Sequence, residues 1–79
     1  MVLEIAETSA EVDREKKVPL YGQAGISETW LVDLVRECVE VYSKPTSRGY
    51  GEVRWFWRGE RFSPQAFPDL DLAVNDVLG

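Results

Sequence analysis

The first strand-like segment carries apolar side chains at both its odd and its even positions. It is Val2–Ala6, with the letters VLEIA, and Glu4 is its one charged residue. A strand with apolar side chains on both faces is typical of a position between two neighbours, so we expect it away from a sheet edge. A carboxylate in such a strand is unusual, which makes Glu4 a candidate for chemistry.

Helical periodicity follows after a short polar stretch. A helix is predicted from about residue 13 to residue 24, with Asp13 as its N-cap and Gly25 just beyond its end. Pro19 removes one backbone hydrogen bond, so we expect a kink or a late helix start there. The residues at helical spacing that would form the buried stripe are Val18, Tyr21 and Ala24.

The rest of the chain predicts a run of strands. The expected strands are Thr29–Leu34, Glu37–Ser43, Glu52–Trp57 and a fifth, short one within residues 60–64. The short connection between the second and third strands predicts an antiparallel hairpin. The letters KPTSRGYG, before the fourth strand, are typical of a turn or loop. A short helical turn is expected near Asn75, with Asn75 as its cap.

This order of elements predicts an α+β fold, with one main helix against a mostly antiparallel sheet. At 79 residues the chain should form one domain over residues 1–79, with a thin core. An apolar fraction of 44% and a charged fraction of 29% are typical of a globular protein. No apolar run is long enough to span a membrane and no signal peptide is recognisable, so a cytoplasmic location is expected.

Residue counts exclude several kinds of catalytic site. The chain has no histidine and a single cysteine, Cys38, which excludes imidazole chemistry, an internal disulfide and an all-cysteine metal site. A net charge of −5 disfavours non-specific nucleic-acid binding, which depends on neutralising phosphates. Arg54, Arg58 and Arg61 are close in sequence, but two glutamates are interleaved with them, so charge pairing on a solvated face is the preferred interpretation.

Several short motifs together resemble the Uma-type family of restriction-endonuclease-like proteins. In chain order they are Glu4, Ser9, Asp13–Arg14, Lys17, Leu20–Tyr21, Ala24–Gly25–Ile26, Trp30–Asp33 and the tail SP…FPDL at 63–70. The resemblance covers nearly the whole chain, and the motifs are specific only as a set. It implies the PD-(D/E)XK nuclease fold, in which two strand-borne acids hold Mg²⁺ and a lysine positions or activates the attacking water.

Carried onto this chain, the resemblance implies a catalytic pair of Glu4 and Lys17. Glu4 would be the second acid of the metal site, and the backbone carbonyl of Ile5 would be a further metal ligand. The usual fold has its lysine two residues after the acid, where this chain has Ala6. The resemblance therefore implies that Lys17, on the following helix, takes the place of that lysine.

These residues also have a structural interpretation. By resemblance, Ser9, Asp13 and Arg14 would contact substrate phosphates or the metal. Without any function, Asp13 could be a helix cap and Arg14 a surface charge. Ser9 is not expected to be a nucleophile, because no base is available to activate it. The alternative for Glu4 and Lys17 is that they are salt-bridge partners without activity. This structural interpretation is the preferred one for this chain.

A departure from the family pattern predicts that the chain alone is inactive. The first acid of the family comes from a Pro-Asp motif on an upstream strand, and here Met1 stands just before the strand of Glu4. We therefore expect a truncated, C-terminal half of a restriction-endonuclease-like domain with a weak or absent Mg²⁺ site. The alternatives are a nuclease completed by a separate N-terminal polypeptide, or a small protein-interaction module. A homodimer or the complementing polypeptide would cover the exposed apolar surface.

The tryptophans and the cysteine are assigned to packing. Trp30, Trp55 and Trp57 could stack nucleobases, since every base offers a π-face. Packing in the core or between strands is nevertheless expected for Trp30 and for at least one of the other two. Cys38 is expected to be a small buried residue without chemistry.

Overall fold

The described part of the chain contains six strands, one main helix and one short terminal helix. The computed structural model describes residues 2–7, 10–64 and 68–79. The main helix covers residues 10–23, and the C-terminal helix covers Val74–Leu78. The strands are β1 Val2–Ala6, β2 Glu28–Asp33, β3 Cys38–Thr46, β4 Gly49–Trp57, β5 Arg61–Phe62 and β6 Leu72–Ala73.

Four strands form one mixed sheet in the order β1-β2-β3-β4. β1 and β2 are parallel and are connected through the main helix, whereas the β2–β3 and β3–β4 pairs are antiparallel. β5 and β6 form a small antiparallel sheet of their own. The prediction of an α+β fold with one main helix and a mostly antiparallel sheet is therefore confirmed, as is the hairpin of the second and third strands.

The third and fourth strands are longer than the sequence pattern predicted. Thr46 pairs with Gly49 and Pro45 pairs with Tyr50, so most of the expected KPTSRGYG loop belongs to the β3–β4 ladder. The turn itself is confined to residues 47–48. The ladder tolerates this loop-like composition because Lys44 adopts a left-handed φ of 59° and Gly49 a φ of 128°.

The sheet has two buried faces, each with its own apolar cluster. One face lies under the main helix, where the buried cluster is Ala6, Val18, Leu31 and Tyr42. Register places Glu4, Leu31, Glu40 and Trp55 side by side on this face, one from each strand. The opposite face packs on the second sheet and the C-terminal helix through Trp30, Val32, Val39, Val41, Phe62 and Val74. The prediction that Trp30 belongs to the core is confirmed.

The main helix contains a π-helical turn where an N-cap was predicted. Its α-helical segments, Ala10–Val12 and Val18–Gln23, flank the π-helical segment Asp13–Lys17. The Val18 N–H accordingly donates to the carbonyl oxygen of Asp13, five residues earlier. Asp13 is not a cap but a residue inside the helix, with only 4% of its surface exposed.

Pro19 does not delay the start of the helix, which begins nine residues earlier at Ala10. In a regular α-helix the proline ring would clash with the carbonyl of Glu15, four residues before it. The wider π-helical turn directly before Val18–Gln23 gives that ring room, which is why the helix continues past it. The predicted end is confirmed, because Gly25 follows the helix with a left-handed φ of 81°.

The buried stripe of the helix differs from the predicted one. Val18 is buried, but Tyr21 is half-buried and Ala24 is exposed. Gly22 takes the place of Ala24, because the helix approaches the start of β4 so closely that only a glycine fits. A Cβ built on Gly22 would lie 2.4 Å from the carbonyl carbon of Gly49.

β1 occupies a sheet edge, so the prediction of an interior position is wrong for the described part of the chain. It pairs with β2 on one side, and no described strand pairs with its other side. Leu3 and Ile5, on the face away from the main helix, are 50% and 60% exposed. Apolar side chains do lie on both faces of β1, as the sequence indicated. The described residues, however, cover only the face under the main helix.

Trp55 and Trp57 are both exposed, so the core packing expected for at least one of them is not found, and the alternative of packing between strands stays a prediction. They are 37% and 46% exposed and lie on the outermost strand, β4, on the face of the main helix. Their rings stack on each other, with centroids 6.0 Å apart and planes 17° from parallel. Of the main helix, Arg14 lies over the Trp55 ring, with Cζ 5.4 Å from the ring centroid, and it covers that ring only in part.

Asn75 lies inside the C-terminal helix, whose N-cap is Ala73, so its predicted role as a helix cap is wrong. Its Oδ1 accepts the N–H of Gly59 at 2.8 Å and thereby ties the helix to the turn after β4. Residues 65–67, which include Phe67 of the tail motif SP…FPDL, lie outside the described residues. Among the described helices, none has both the length and the apolar character needed to cross a membrane.

Replacing Gly22 with alanine should destabilise the fold, although alanine is the better helix former. The added Cβ would overlap the backbone of Gly49, and overpacking of this kind costs about 1–3 kcal/mol of unfolding free energy. Urea denaturation of Gly22→Ala measures this loss of unfolding free energy. The control is Gln23→Ala, at an exposed site in the same helical turn. A stabilised Gly22→Ala variant would contradict the close helix–strand approach.

Candidate functional site

Glu4 and Asp13 both face the ammonium group of Lys17. Lys17 Nζ is 4.0 Å from Glu4 Oε2 and 3.4 Å from Asp13 Oδ1. The Asp13 side chain is 5% exposed and the Lys17 side chain 53%, so the cluster is closed on the helix side and open to solvent at the lysine. The structure thus brings the predicted pair, Glu4 and Lys17, together as an ion pair and adds Asp13 to it.

Tyr21 is a fourth member of this cluster. The sequence analysis placed it in the core stripe and in a family motif, but gave it no role at the site. Its hydroxyl donates a hydrogen bond to Glu4 Oε1. One oxygen of Glu4 is therefore held by a neutral donor, while the other faces Lys17. The hydrogen bond to Glu4 is the main cause of the raised pKa of Tyr21, because ionising Tyr21 would bring two negative charges together.

Helix geometry explains how one strand residue meets three helix residues. Asp13, Lys17 and Tyr21 recur every four residues and so form a row along one side of the main helix. That row passes over β1 at Glu4. The spacing was visible in the sequence, and a search for polar side chains at this period would have added Tyr21 to the candidate residues, which already included Asp13.

Arg14 turns away from the acid–lysine cluster and enters a second, buried network. Its guanidinium donates two hydrogen bonds to Glu40, one of them from Nε to Oε1 at 2.8 Å. Nη2 also lies 3.4 Å from Asp33 Oδ2. The Glu40 side chain is fully buried and the Arg14 side chain only 21% exposed, so the interpretation of Arg14 as a surface charge is wrong.

Hydrogen bonds satisfy the acids of this network from several sides. The Tyr42 hydroxyl donates to Glu40 Oε1. Asp33 Oδ1 accepts the backbone N–H groups of residues 35 and 36 at 3.1 and 3.0 Å. Within the described ranges, no buried side-chain nitrogen or oxygen lacks a hydrogen-bond partner. A network with all of its members satisfied is typical of a structural role.

The charges of the network shift the pKa values of its members. The hydrogen bond to Glu40 raises the pKa of Arg14 further above its ordinary value. Burial, together with the hydrogen bond to Glu40, raises the pKa of Tyr42. Burial also raises the pKa of the Cys38 thiol, and Asp33 and Glu40 add to that effect. At neutral pH all three groups therefore stay protonated, and the prediction that Cys38 is buried is confirmed.

Asp33, Cys38 and Glu40 bring potential metal ligands together, but they do not suit Mg²⁺. One ligand atom of each lies within 4.8 Å of the others. Mg²⁺ needs oxygen ligands and retains several waters, whereas this cluster is buried and includes a protonated thiol. Arg14 already neutralises Glu40 at short range, so a cation would have to displace it. We assign these residues to the structural network.

Glu4 and Asp13 are a second set of carboxylates that a divalent cation could use. Mg²⁺ is often held by one or two carboxylates together with waters and substrate phosphates, and both residues offer carboxylate oxygens next to a largely exposed lysine. The backbone carbonyl of Ile5, on the same strand as Glu4, stays a predicted ligand. Ser9 lies outside the described residues.

An α+β domain that places a strand-borne acid beside a helix-borne lysine has the elements of the restriction-endonuclease-like class. The family model of Uma2, described as "Putative restriction endonuclease", matches residues 1–75 of the 79-residue chain. The chain therefore belongs to the Uma2 family, and the family resemblance seen in its motifs is confirmed. No curated protein and no solved structure matches the chain.

Replacing Glu40 with glutamine should lower the unfolding free energy by about 3–5 kcal/mol, because Arg14 would remain buried without a full charge partner. Urea denaturation gives the value. The control is Asp71→Asn, which breaks an exposed ion pair with Arg61 whose side chains are 59% and 60% exposed, and should cost less than about 1 kcal/mol.

A double substitution separates the pair from its surroundings. Arg14→Met combined with Glu40→Leu removes both charges at once, but it also removes the acceptor of the Tyr42 hydroxyl and the cation beside Asp33, so the double variant should recover only part of the stability lost in Glu40→Gln. If Glu40→Gln and Asp71→Asn lose equal amounts of unfolding free energy, the buried ion pair stabilises the fold no more than an exposed one.

Tyr42 should make the chain less stable in alkaline solution. Because its pKa is raised in the folded state, the unfolded chain loses that proton first, at about pH 10. The unfolding free energy should therefore hold below that pH and fall above it. Urea denaturation between about pH 9 and 11 should show a smaller fall for Tyr42→Phe, with Tyr21, whose pKa is also raised, causing part of the remainder. Identical falls in both proteins would refute this assignment.

Proposed function

We propose that this chain supplies the acid and the lysine of a metal-dependent nuclease site. The observation that carries the proposal is the position of Lys17 Nζ, 4.0 Å from Glu4 Oε2 and 3.4 Å from Asp13 Oδ1, at the open edge of the sheet. Membership of a restriction-endonuclease family supports phosphodiester hydrolysis as the reaction class. The substrate class is nucleic acid, despite the net charge of −5.

Each residue of the cluster has a role in that reaction. Glu4 and Asp13 would hold Mg²⁺, with the Ile5 carbonyl as a further ligand, and the bound ion would polarise the phosphate and lower the pKa of a water. Lys17, largely exposed, would neutralise the phosphate and orient the attacking water. Tyr21 holds one oxygen of Glu4 and so leaves Oε2 directed toward the lysine and the cation.

We further propose that the chain alone is inactive, because the family pattern has a first, strand-borne acid in a Pro-Asp motif that no described strand places beside Glu4. β1 has one free edge among the described strands, directly beside the strand position of Glu4. A strand from another polypeptide could pair there and bring an acid next to Glu4. Leu3 and Ile5, which are 50% and 60% exposed on the other face, would be covered by the same partner.

The exposed Leu3 and Ile5 also favour a second candidate function, that of a protein-interaction module that binds an extended segment at the β1 edge. In that case the acid–lysine cluster is a structural ion pair only. The two functions differ in whether a divalent cation binds beside Glu4.

A paramagnetic titration tests the metal site directly. Addition of Mn²⁺ to isotope-labelled protein should broaden the NMR signals of residues near Glu4 and Asp13 first, and Glu4→Gln should abolish that selective broadening. The control is Glu7→Gln, which removes an exposed carboxylate just beyond β1 and should leave the broadening unchanged. Broadening without preference for this cluster would overturn the nuclease proposal and favour the interaction module.

A cleavage assay tests the requirement for a further carboxylate. The purified chain should leave supercoiled plasmid DNA and single-stranded DNA intact in buffer that contains Mg²⁺ or Mn²⁺. If the chain cleaves either substrate and Glu4→Gln abolishes the cleavage, the site is complete as it stands and the proposed need for a partner strand is wrong.

A further inference from the structure

The outer edge of β4 lacks the lysine and proline residues that commonly keep an edge strand from pairing. β4 is nine residues long, and no described strand pairs with its outer side. On the face of the main helix it exposes Val53, Trp55 and Trp57, which are 43%, 37% and 46% exposed.

One acidic and one basic side chain flank Val53 in the middle of β4. Glu52 and Arg54 flank Val53 on the face away from the main helix. Arg54 lies over the ring of Phe56, and no carboxylate of the described residues is within ion-pairing distance of it. The Glu52 side chain is 40% exposed, with Lys44 Nζ 3.8 Å away. Each strand therefore presents one acid and one cation symmetrically about Val53.

We propose that two copies of the chain pair through β4 in antiparallel orientation, about a two-fold axis at Val53. In this register Glu52 of each copy lies opposite Arg54 of the second copy, which forms two equivalent ion pairs. Trp55 of each copy lies beside Gly51 of the second copy, where the absence of a side chain leaves room for the indole ring. The dimer goes beyond the proposed nuclease site, which lies at β1, and does not depend on it.

The register is set by side chains rather than by the backbone alone. Shifting the axis from Val53 to Arg54 would place two arginines opposite each other, which is unfavourable. Shifting it to Trp55 would put Arg54 opposite Phe56 and lose both Glu52–Arg54 pairs. The register at Val53 is the one that uses both the charges and the glycine.

Sedimentation equilibrium over a wide range of protein concentrations tests the dimer. The wild-type chain should form dimers, and Glu52→Arg or Arg54→Glu alone should weaken dimerisation by about tenfold, because two like-charge pairs replace two opposite ones. The double variant Glu52→Arg/Arg54→Glu should restore it. Glu11→Arg, at an exposed site on the main helix, is the control and should change nothing.

A cysteine cross-link tests the register. In a Cys38→Ala background, Val53→Cys should form a disulfide between two copies under mild oxidation, because paired residues on the axis have Cβ atoms about 4.5–5.5 Å apart. Trp55→Cys and Glu11→Cys should cross-link much less. The Trp fluorescence of the wild type should shift to shorter wavelength as the dimer forms.

Three outcomes would overturn the proposal. They are a wild-type chain that remains monomeric at high concentration, charge reversals that do not compensate each other, and preferential cross-linking at Trp55→Cys. A fluorescence shift produced by single-stranded DNA without self-association would show instead that the exposed indoles bind bases. None of these results depends on metal binding at Glu4. The dimer and the nuclease proposal are therefore tested independently.

Discussion

The buried ion pair between Arg14 and Glu40 determines how the main helix sits on the sheet. Glu40 is fully buried on the third strand, and a buried carboxylate is costly unless a cation and hydrogen bonds compensate for its lost hydration. Arg14 is the one cation that contacts it among the described residues, and it does so with two hydrogen bonds. A helix shifted along or rotated about its axis would leave that charge unpaired, so the pair restricts the helix to one position.

A second constraint acts near the other end of the same helix. Gly22 lies against the backbone of Gly49, at a distance that excludes any side chain on the helix. With Arg14 fixed over the third strand and Gly22 fixed on the fourth, the helix between them has little freedom. Lys17 and Tyr21 lie in that interval, and both reach Glu4 on the first strand. The geometry of the candidate site therefore follows from two contacts outside the site.

The elements of the fold were predictable from the sequence, but the environments of several residues were not. Periodicity identified the main helix and the strands because it depends on neighbours along the chain. Asp13 was misassigned because a polar residue before an apolar stripe is usually a cap, and the π-helical turn that carries it inside the helix relieves a clash with Pro19. The exposure of Trp55 and Trp57 depends on how far the helix extends across the sheet, which no local pattern records.

The sequence predicted part of the candidate site, but it could not show which side of the main helix each polar residue faces. Family motifs pointed to Glu4 and Lys17, and the structure brings them together. The sequence treated Asp13 and Arg14 as one pair, but adjacent residues on a helix point in different directions. Asp13 therefore joins the acid–lysine cluster, whereas Arg14 enters the buried network. Only the position of the helix over the sheet decides which of two neighbouring polar residues joins the acid–lysine cluster.

The two edges of the sheet that no described strand covers, at β1 and β4, have different consequences for any assembly. Pairing through β4 would form an eight-stranded sheet with a β1 edge at each end, about 34 Å apart at the usual spacing between strands. Strands also twist by about 20–25° per pair, so the two ends would be rotated by roughly 150° relative to each other. Two acid–lysine clusters that face nearly opposite directions cannot act together on one straight duplex. Each site in such a dimer would therefore bind its own substrate and its own partner strand.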